Sequence, residues 1–498
     1  MSHLTNRRMV TIAMMVAVLL VAIDVTVVST AMPRIVADLS GINLFSWVFA
    51  IYTLTTSVTT PIYGKLADLY GRKIVFTVGV IIFLVGSMLS GLSQTMMQLI
   101  FFRALQGIGA GAVMPITFTI IGDLFSGEER GRMQGLFSSV WGIAGILGPL
   151  LGGFFVDYGS WRWIFYINVP IGIISLTLVW MYLHETFERR QHKVDYLGAA
   201  LFTVSISSLL YALLNGGKPH YAWTSPTVFG LFAAAVLGLI LFFVVESRAR
   251  EPILPLSLFK MRIIAVSNLA SFLASAVLIA TQVYLPMWIQ SILGHSATSS
   301  GLTLMPMSIG WPLAATIGGR LMYKAGSKLT AVLGGVLITV GCLWLATMGV
   351  AAPYWYLIAI MVIIGLGMGF SMTPFTVLIQ ASVPWRMRGA ATASNTFMRT
   401  LGQTMGVAIY GTWFNHSVSH FVKAQFGAAG PPKQFDRLLS PGAVHVHVST
   451  SVIHEVQGIL SHSLHTVFLV VGVTAIMTLA SILLLPLHKT VMQQQVQE

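Results

Sequence analysis

Charged side chains are few in this chain, and those that promise chemistry lie inside apolar runs. Asp24 interrupts Ala22-Ile23-Asp24-Val25-Thr26-Val27-Val28, Arg103 opens Arg103-Ala104-Leu105-Gln106-Gly107, and Arg399 lies within Phe397-Met398-Arg399-Thr400-Leu401. A charge at the centre of a membrane-crossing helix costs about 2.5–3.5 kcal/mol, so it faces a cavity or a partner and not lipid. Counted along their helices, Asp24 and Arg103 lie ~10 Å and ~8 Å from the same membrane surface, which puts them at matching depth. A carboxylate beside a guanidinium can exchange a proton when the pair separates or rehydrates. The other role open to them is a fixed structural ion pair, or an aspartate bonded to backbone. Arg399 has no embedded acid in its half of the chain to neutralise it, so it calls for water, a carbonyl or an anionic group.

A second constellation is the decapeptide Gly64-Lys65-Leu66-Ala67-Asp68-Leu69-Tyr70-Gly71-Arg72-Lys73. A degraded copy, Gly319-Arg320-Leu321-Met322-Tyr323-Lys324-Ala325-Gly326-Ser327-Lys328, follows about 255 residues later. Both read as a tight polar turn between apolar helices. Gly64 and Gly71 are expected to allow close approach and a sharp turn, and Asp68 and Arg72 to share a face if the helix continues. Either these charges form a gate or they only set topology. Tyr323 and Ser327 replace Asp68 and Arg72 in the second copy, so any latch is one-sided. Gly107-Ile108-Gly109-Ala110-Gly111 is likewise echoed by Gly365-Leu366-Gly367-Met368-Gly369, with Met361 where Arg103 stands in the first half.

The elements that hold these residues follow from composition. Of 498 residues, 56% are hydrophobic and 9% charged, and the mean hydropathy is +0.82, which excludes an ordinary soluble domain. Apolar stretches of bilayer length number about fourteen, near 9–31, 44–66, 74–93, 98–121, 132–156, 163–184, 194–214, 226–245, 262–287, 298–318, 329–350, 353–375, 388–413 and 463–486. The repeat divides the chain into an N-terminal six-helix bundle (1–190), two inserted helices (191–250) and a C-terminal six-helix bundle (251–498). An external loop at about 414–461 includes an alternating, strand-like Ala443–Val448. Most of the 28 basic residues fall on the side that holds both termini. Opposite them lie Arg34, Arg162, Lys218, Lys423, Lys433 and Arg437, so the termini are expected in the cytoplasm. The net charge of +13 is then a topology signal, and nucleic-acid binding is not expected. Arg7 and Arg8 ahead of the first span resemble a signal peptide, but Asp24 and the later spans favour an uncleaved helix.

The lone Cys342 is expected to pack as a small hydrophobe and rules out a disulfide framework. His416 and His420 have helical spacing, within a group including His445, His447, His454, His462 and His465, but no cysteine or carboxylate cluster completes a metal site. Loop histidines in solvent, or a metal or pH-sensing role, remain the alternatives. No Gly-x4-Gly-Lys-Ser/Thr phosphate loop is present. Neither a cofactor nor a bound metal is expected.

Together the residues quoted above, with Ala31-Met32-Pro33, Gly145-Ile146-Leu147-Gly148-Pro149-Leu150-Leu151-Gly152-Gly153 and Trp161-Arg162-Trp163-Ile164-Phe165-Tyr166-Ile167-Asn168-Val169-Pro170, resemble the major facilitator superfamily and its fourteen-helix drug:proton antiporter branch. The resemblance implies an all-α membrane protein of the cell membrane that exports amphipathic, cationic or neutral compounds in exchange for protons, functions as a monomer and confers antibiotic resistance. It implies proton coupling or cation recognition at Asp24, with Arg103 as the arginine of the helix-four motif that shares the proton-coupling site. It also implies a cytoplasmic gate of Gly64, Asp68, Gly71, Arg72 and Asp123, in which Arg72 meets Asp123 and Asp68 meets the start of span thirteen. It further implies an antiporter motif at Gly145, Gly148, Pro149, Gly152 and Gly153, a bendable seam between halves that resists proton leak; ordinary tight packing is the alternative. Trp47, Tyr52, Tyr284, Met305, Trp311, Phe397 and Arg399 are candidates to line a substrate cavity, with helix packing or lipid contact the alternative for each. Trp161 and Trp163 are expected at the interfacial aromatic belt. Proton-coupled movement of an endogenous lipid or metabolite, in either direction, is the nearest alternative function. A membrane-embedded lipid-modifying enzyme is the alternative from another class; it lacks clustered catalytic groups.

Overall fold

A computed structural model describes residues 5–125, 127–185, 195–217, 221–249, 256–349, 352–384, 387–426 and 450–486. Among them the chain is helical apart from turns: α1 Arg7–Leu39, α2 Phe45–Tyr70, α3 Arg72–Leu92, α4 Met96–Leu124, α5 Gly127–Tyr158, α6 Trp163–Tyr166, α7 Asn168–Tyr182, α8 Tyr196–Asn215, α9 Pro226–Arg248, α10 Leu256–Phe259, α11 Arg262–Met287, α12 Ala297–Ala325, α13 Ser327–Ala346, α14 Tyr354–Ala381, α15 Arg388–Phe426 and α16 Thr450–Leu483. A π-helical turn, Trp288–Ile292, extends α11. Within the described residues, 12 helices are long and apolar enough to cross a membrane, with α6 and α7 acting as one. The long helices α12 and α15 fall outside that set. Prolines 306 and 312 and a basic end dilute α12, and α15 carries a run of Asn, Thr, Arg and Gln.

The chain forms two compact units. The first holds Met1–Ile253 with Ser296–Gly301, so the inserted pair α8 and α9 belongs to it; the second holds Leu254–His295 and Leu302–Glu498. Each unit repeats one packing scheme. In the first, α4 packs on α2 and α3, and α1 on α5 and α7; in the second, α14 packs on α13, and α11 on α15 and α16.

The glycine runs explain the matching. A Cβ on Gly107 or Gly111 would strike Thr55 or Thr59 of α2, whereas one on Gly109 would strike the backbone of Phe83 and Gly79 of α3. In the other unit, Gly365 and Gly369 meet Met307 and Trp311 of α12, and Gly367 meets Ile338 and Gly334 of α13. Glycines at every second position therefore let one helix approach two neighbours on different faces.

Both ends of the external loop expected at 414–461 are helical. Helix α15 continues to Phe426 and α16 begins at Thr450, because Val418, Val422, Val456, Ile459 and Leu460 keep both helices apolar on one side and bury there. Ser417 and Thr466 hydroxyls join across them at 3.0 Å. The strand expected at Ala443–Val448 lies outside the described residues.

Candidate functional site

Asp24 and Arg103 meet. The carboxylate is fully buried in the first unit, with Arg103 Nη1 donating to Oδ2 at 2.6 Å. Oδ1 accepts from Gln106 Nε2 at 2.7 Å and Asn168 Nδ2 at 3.0 Å. Gln106 Oε1 in turn accepts from Arg103 Nη1 at 2.9 Å, and Asn168 also donates to Ser87 Oγ at 2.9 Å. The Tyr52 ring lies 4.0 Å from the guanidinium carbon. One helix turn separates Arg103 from Gln106 on α4, so both reach α1, while α3 and α7 supply Ser87 and Asn168. An ionised carboxylate accepts hydrogen bonds without donating any, and every contact here is a donor aimed at it.

Gln106, Asn168 and Ser87 escaped the sequence reading, which followed formal charge. The available signal was a polar residue in an apolar helix at Asp24 depth, Gln106 one turn from Arg103. Trp161 also departs from expectation. It is 2% exposed, and its Nε1 donates to Asp38 Oδ2 at 2.9 Å, so a buried ring bonded to a carboxylate replaces the belt position. Trp163 is 55% exposed, as an interfacial residue would be.

At the decapeptide, α2 ends at Tyr70 and α3 starts at Arg72. Asp68 and Arg72 thus sit on different helices, not one continuing face. Gly71 has φ 91°, and its counterpart Gly326 has φ 88°, a left-handed turn that suits glycine in both copies. Gly64 is different: a Cβ there meets nothing within 4 Å among the described residues, so close approach does not account for it. The Asp68 side chain lies outside the described part. Arg72 forms an ion pair with Asp123 at the end of α4, with side chains 20% and 37% exposed.

A clasp unseen in the sequence holds this turn to α7. Glu185 accepts the backbone N–H groups of Arg72 and Lys73, each at 3.0 Å, which caps the start of α3. Lys73 Nζ returns the contact, donating to the carbonyls of Trp180 at 3.0 Å and Leu183 at 2.8 Å. Lys328, the matching lysine of the second unit, donates to Leu483 O at 2.9 Å. The shared terminal lysine therefore caps a neighbouring helix end in both units.

Along α5, a Cβ on Gly148 or Gly152 would collide with Thr26 or Thr30 of α1, and one on Gly153 with Thr298 in the first turn of α12. Gly145 and Pro149 are buried beside them. Thr26 Oγ1 donates to Ala144 O at 3.1 Å. The motif is a close seam within the first unit.

The proposed cavity residues divide. Trp47 packs on Tyr211 of the inserted α8, ring centres 5.9 Å apart, and Tyr52 belongs to the Arg103 site. Tyr284 is fully buried against Phe414 at 5.8 Å. Met305, Trp311, Phe397 and Arg399 are half-buried. Among the described residues, no group of three or more His, Cys, Asp or Glu could hold a metal.

A helical bundle of two repeated units with an ion pair buried inside one of them is the form of a multi-pass transporter. The chain belongs to the Major Facilitator Superfamily, whose pattern matches residues 14–407, and it is a transporter, not an enzyme. It is 42% identical over 429 residues to "Multidrug resistance protein 3" of Bacillus subtilis (strain 168), covering 85% of this chain and 84% of that one. It is 40% identical over 411 residues to "Multidrug transporter protein MdtP" of the same organism, covering 82% and 76%. Among solved structures it resembles a bacterial homologue of the human lysosomal transporter Spinster in an inward-facing, unoccupied conformation. That match has a TM-score of 0.68 and 15% identity, covering 97% of this chain and 99% of the other, which is a likeness of fold.

Proposed function

We propose that this protein is a proton-coupled exporter of amphipathic compounds, an antiporter of the fourteen-helix drug:proton branch working by alternating access. The observation that carries the reading is the buried Asp24 with Arg103, Gln106 and Asn168 around it. A titratable acid so deep in an apolar bundle is an energetic burden unless it is used, and proton exchange there links cargo movement to the proton gradient. The names of the two Bacillus relatives support a range of drug-like cargo and a part in antibiotic resistance. In this reading α12 and α15 also cross, giving fourteen spans in the cell membrane with both termini in the cytoplasm. Residues 1–190 and 251–498 form the two six-helix bundles, the helices within 191–250 are the insertion, and the monomer is the working unit. The Arg72 to Asp123 pair and Asp68 latch the cytoplasmic side in one state, and the seam of α1 and α5 limits leakage of protons.

The test is transport by Asp24→Asn, which keeps the shape and cannot titrate. In vesicles, gradient-driven movement of a fluorescent amphipathic dye should be lost, together with substrate-induced proton release from detergent-solubilised protein. Wild-type values for both would remove Asp24 as the proton carrier.

A further inference from the structure

Helix α15 carries a polar stripe that nothing so far explains. Thr392, Thr396, Arg399, Thr400 and Gln403 fall within roughly 100° of arc at 3.6 residues per turn, and all are half-buried or exposed. Apart from Thr392, which meets Gln380 of α14, the residues of α15 that pack lie beside the stripe: Asn395 binds Asn268 and Ser271 of α11, both at 2.9 Å, and Gly402 and Gly406 lie against Phe272 and Ala276 of α11. Exposed Ile409 and Trp413 lie outside the stripe, further along the helix.

Arg399 lies eleven residues beyond Arg388, ~16 Å along the axis, near the middle of a hydrocarbon layer about 30 Å thick. An accessible polar stripe at that depth faces a water-filled path and not lipid. Within it the threonine hydroxyls donate to their own helix, Thr392 to Arg388 O at 2.8 Å, Thr396 to Thr392 O at 3.1 Å and Thr400 to Thr396 O at 3.0 Å, and Thr392 Oγ1 also accepts from Gln380 Nε2 of α14 at 3.1 Å. Arg399 and Gln403, one turn apart, have no such partner among the described residues. The first unit's charge is balanced, since Asp24 is matched by Arg103 at 2.6 Å. Arg399 is therefore the deep charge left for cargo.

We infer that Arg399 and Gln403 form a subsite for an acidic or strongly hydrogen-bond-accepting group, so that the preferred cargo is an amphipathic carboxylate or related anion and not a permanent cation. A guanidinium and a carboxamide on adjacent turns offer N–H donors to the two oxygens of one carboxylate. The apolar remainder of the cargo lies along Phe397 and its neighbours. The inference rests on the exporter reading and on α15 crossing the membrane, and it replaces the cationic cargo that the sequence resemblance suggests.

The experiment compares three fluorescent probes on one naphthalene ring: a carboxylate, its methyl ester and a quaternary ammonium derivative. Binding to detergent-solubilised protein is read by polarisation. The wild type is expected to hold the carboxylate about tenfold or more tightly than the ester, as a charge-assisted hydrogen bond predicts, and the ammonium probe most weakly. Arg399→Gln should erase the preference, bringing the carboxylate and the ester to within about twofold of each other, and Gln403→Leu should weaken the carboxylate by a smaller factor, about two- to tenfold. A preference for the ammonium probe, a carboxylate preference that survives Arg399→Gln, or binding of none of the three overturns the inference. The wild-type comparison stands even if a variant fails to fold. Ester transport driven by a pH gradient reads the exporter role separately: ester movement without a carboxylate preference defeats only the subsite, whereas no gradient-driven movement of any probe defeats the exporter reading.

Discussion

Dismantling the Asp24 site from both sides should cost no more than breaking it from one. Arg103→Gln leaves a fully buried carboxylate with the amides of Gln106 and Asn168 but no counter-charge. Asp24→Asn leaves a guanidinium at 1% exposure whose Nε already lacks a hydrogen-bond partner. Removing one member of a buried pair costs about 3–5 kcal/mol because the other charge stays behind. The double variant Asp24→Asn/Arg103→Gln has neither charge, and its amides can still bond within the same cage. We expect each single variant to lose about 3 kcal/mol and the double variant far less than their sum, with a coupling of about 3 kcal/mol or a factor of roughly 150 in the unfolding equilibrium. The measurement is a double-mutant cycle in a titration from mild to denaturing detergent, followed by near-ultraviolet dichroism. Single-variant losses that add to within about 0.5 kcal/mol would refute the reasoning, since residues in a 2.6 Å contact cannot act independently.

The remaining expectations are smaller or local. Arg72→Ala and Asp123→Asn should slow turnover while leaving cargo affinity unchanged, and their partly exposed pair should show a coupling of only about 0.2–1 kcal/mol; a loss of affinity equal to the loss of turnover would assign them to cargo binding. Gly109→Ala should destabilise by about 1–3 kcal/mol in the same detergent titration because its Cβ meets the backbone of Phe83 and Gly79, whereas Gly64→Ala should be silent there. Glu185→Ala should cost about 1 kcal/mol by uncapping α3, and Glu185→Gln, which keeps an acceptor, should cost less. For topology, Ala222→Cys should react with an impermeant thiol reagent in sealed cells and Met261→Cys should not; labelling of Met261→Cys alone would invert the assignment.

What the sequence reveals here follows from what each signal encodes. Asp24 and Arg103 could be paired because charge in an apolar run is conspicuous and the helical rise converts position into depth. Gln106, Asn168 and Ser87 carry no formal charge, so the rest of the cage was invisible to the same reasoning. Gly71 and Gly326 are readable as a turn, and both take a left-handed φ; Gly64 looks equivalent, yet among the described residues nothing lies within 4 Å of a Cβ there. Glu185 escaped notice because its partners are backbone N–H groups of Arg72 and Lys73, which have no sequence signature. The extent of α15 and α16 beyond the apolar runs was hidden for a related reason: their polar outer turns look like loop until the two helices are set side by side.

The alternating glycines of α4 and α14 bear on how a duplicated chain can change. Their requirement is for absent volume, and both units keep it at Gly107, Gly109 and Gly111 and at Gly365, Gly367 and Gly369. Nothing in that requirement concerns charge. Met361 is fully buried where the repeat would place an arginine, and in the sequence Tyr323 and Ser327 stand in for Asp68 and Arg72. Shape and chemistry are therefore inherited separately: one copy could give up its ionisable groups and accept a new cation, Arg399, on another helix, while the helix contacts that hold the copy together stayed fixed.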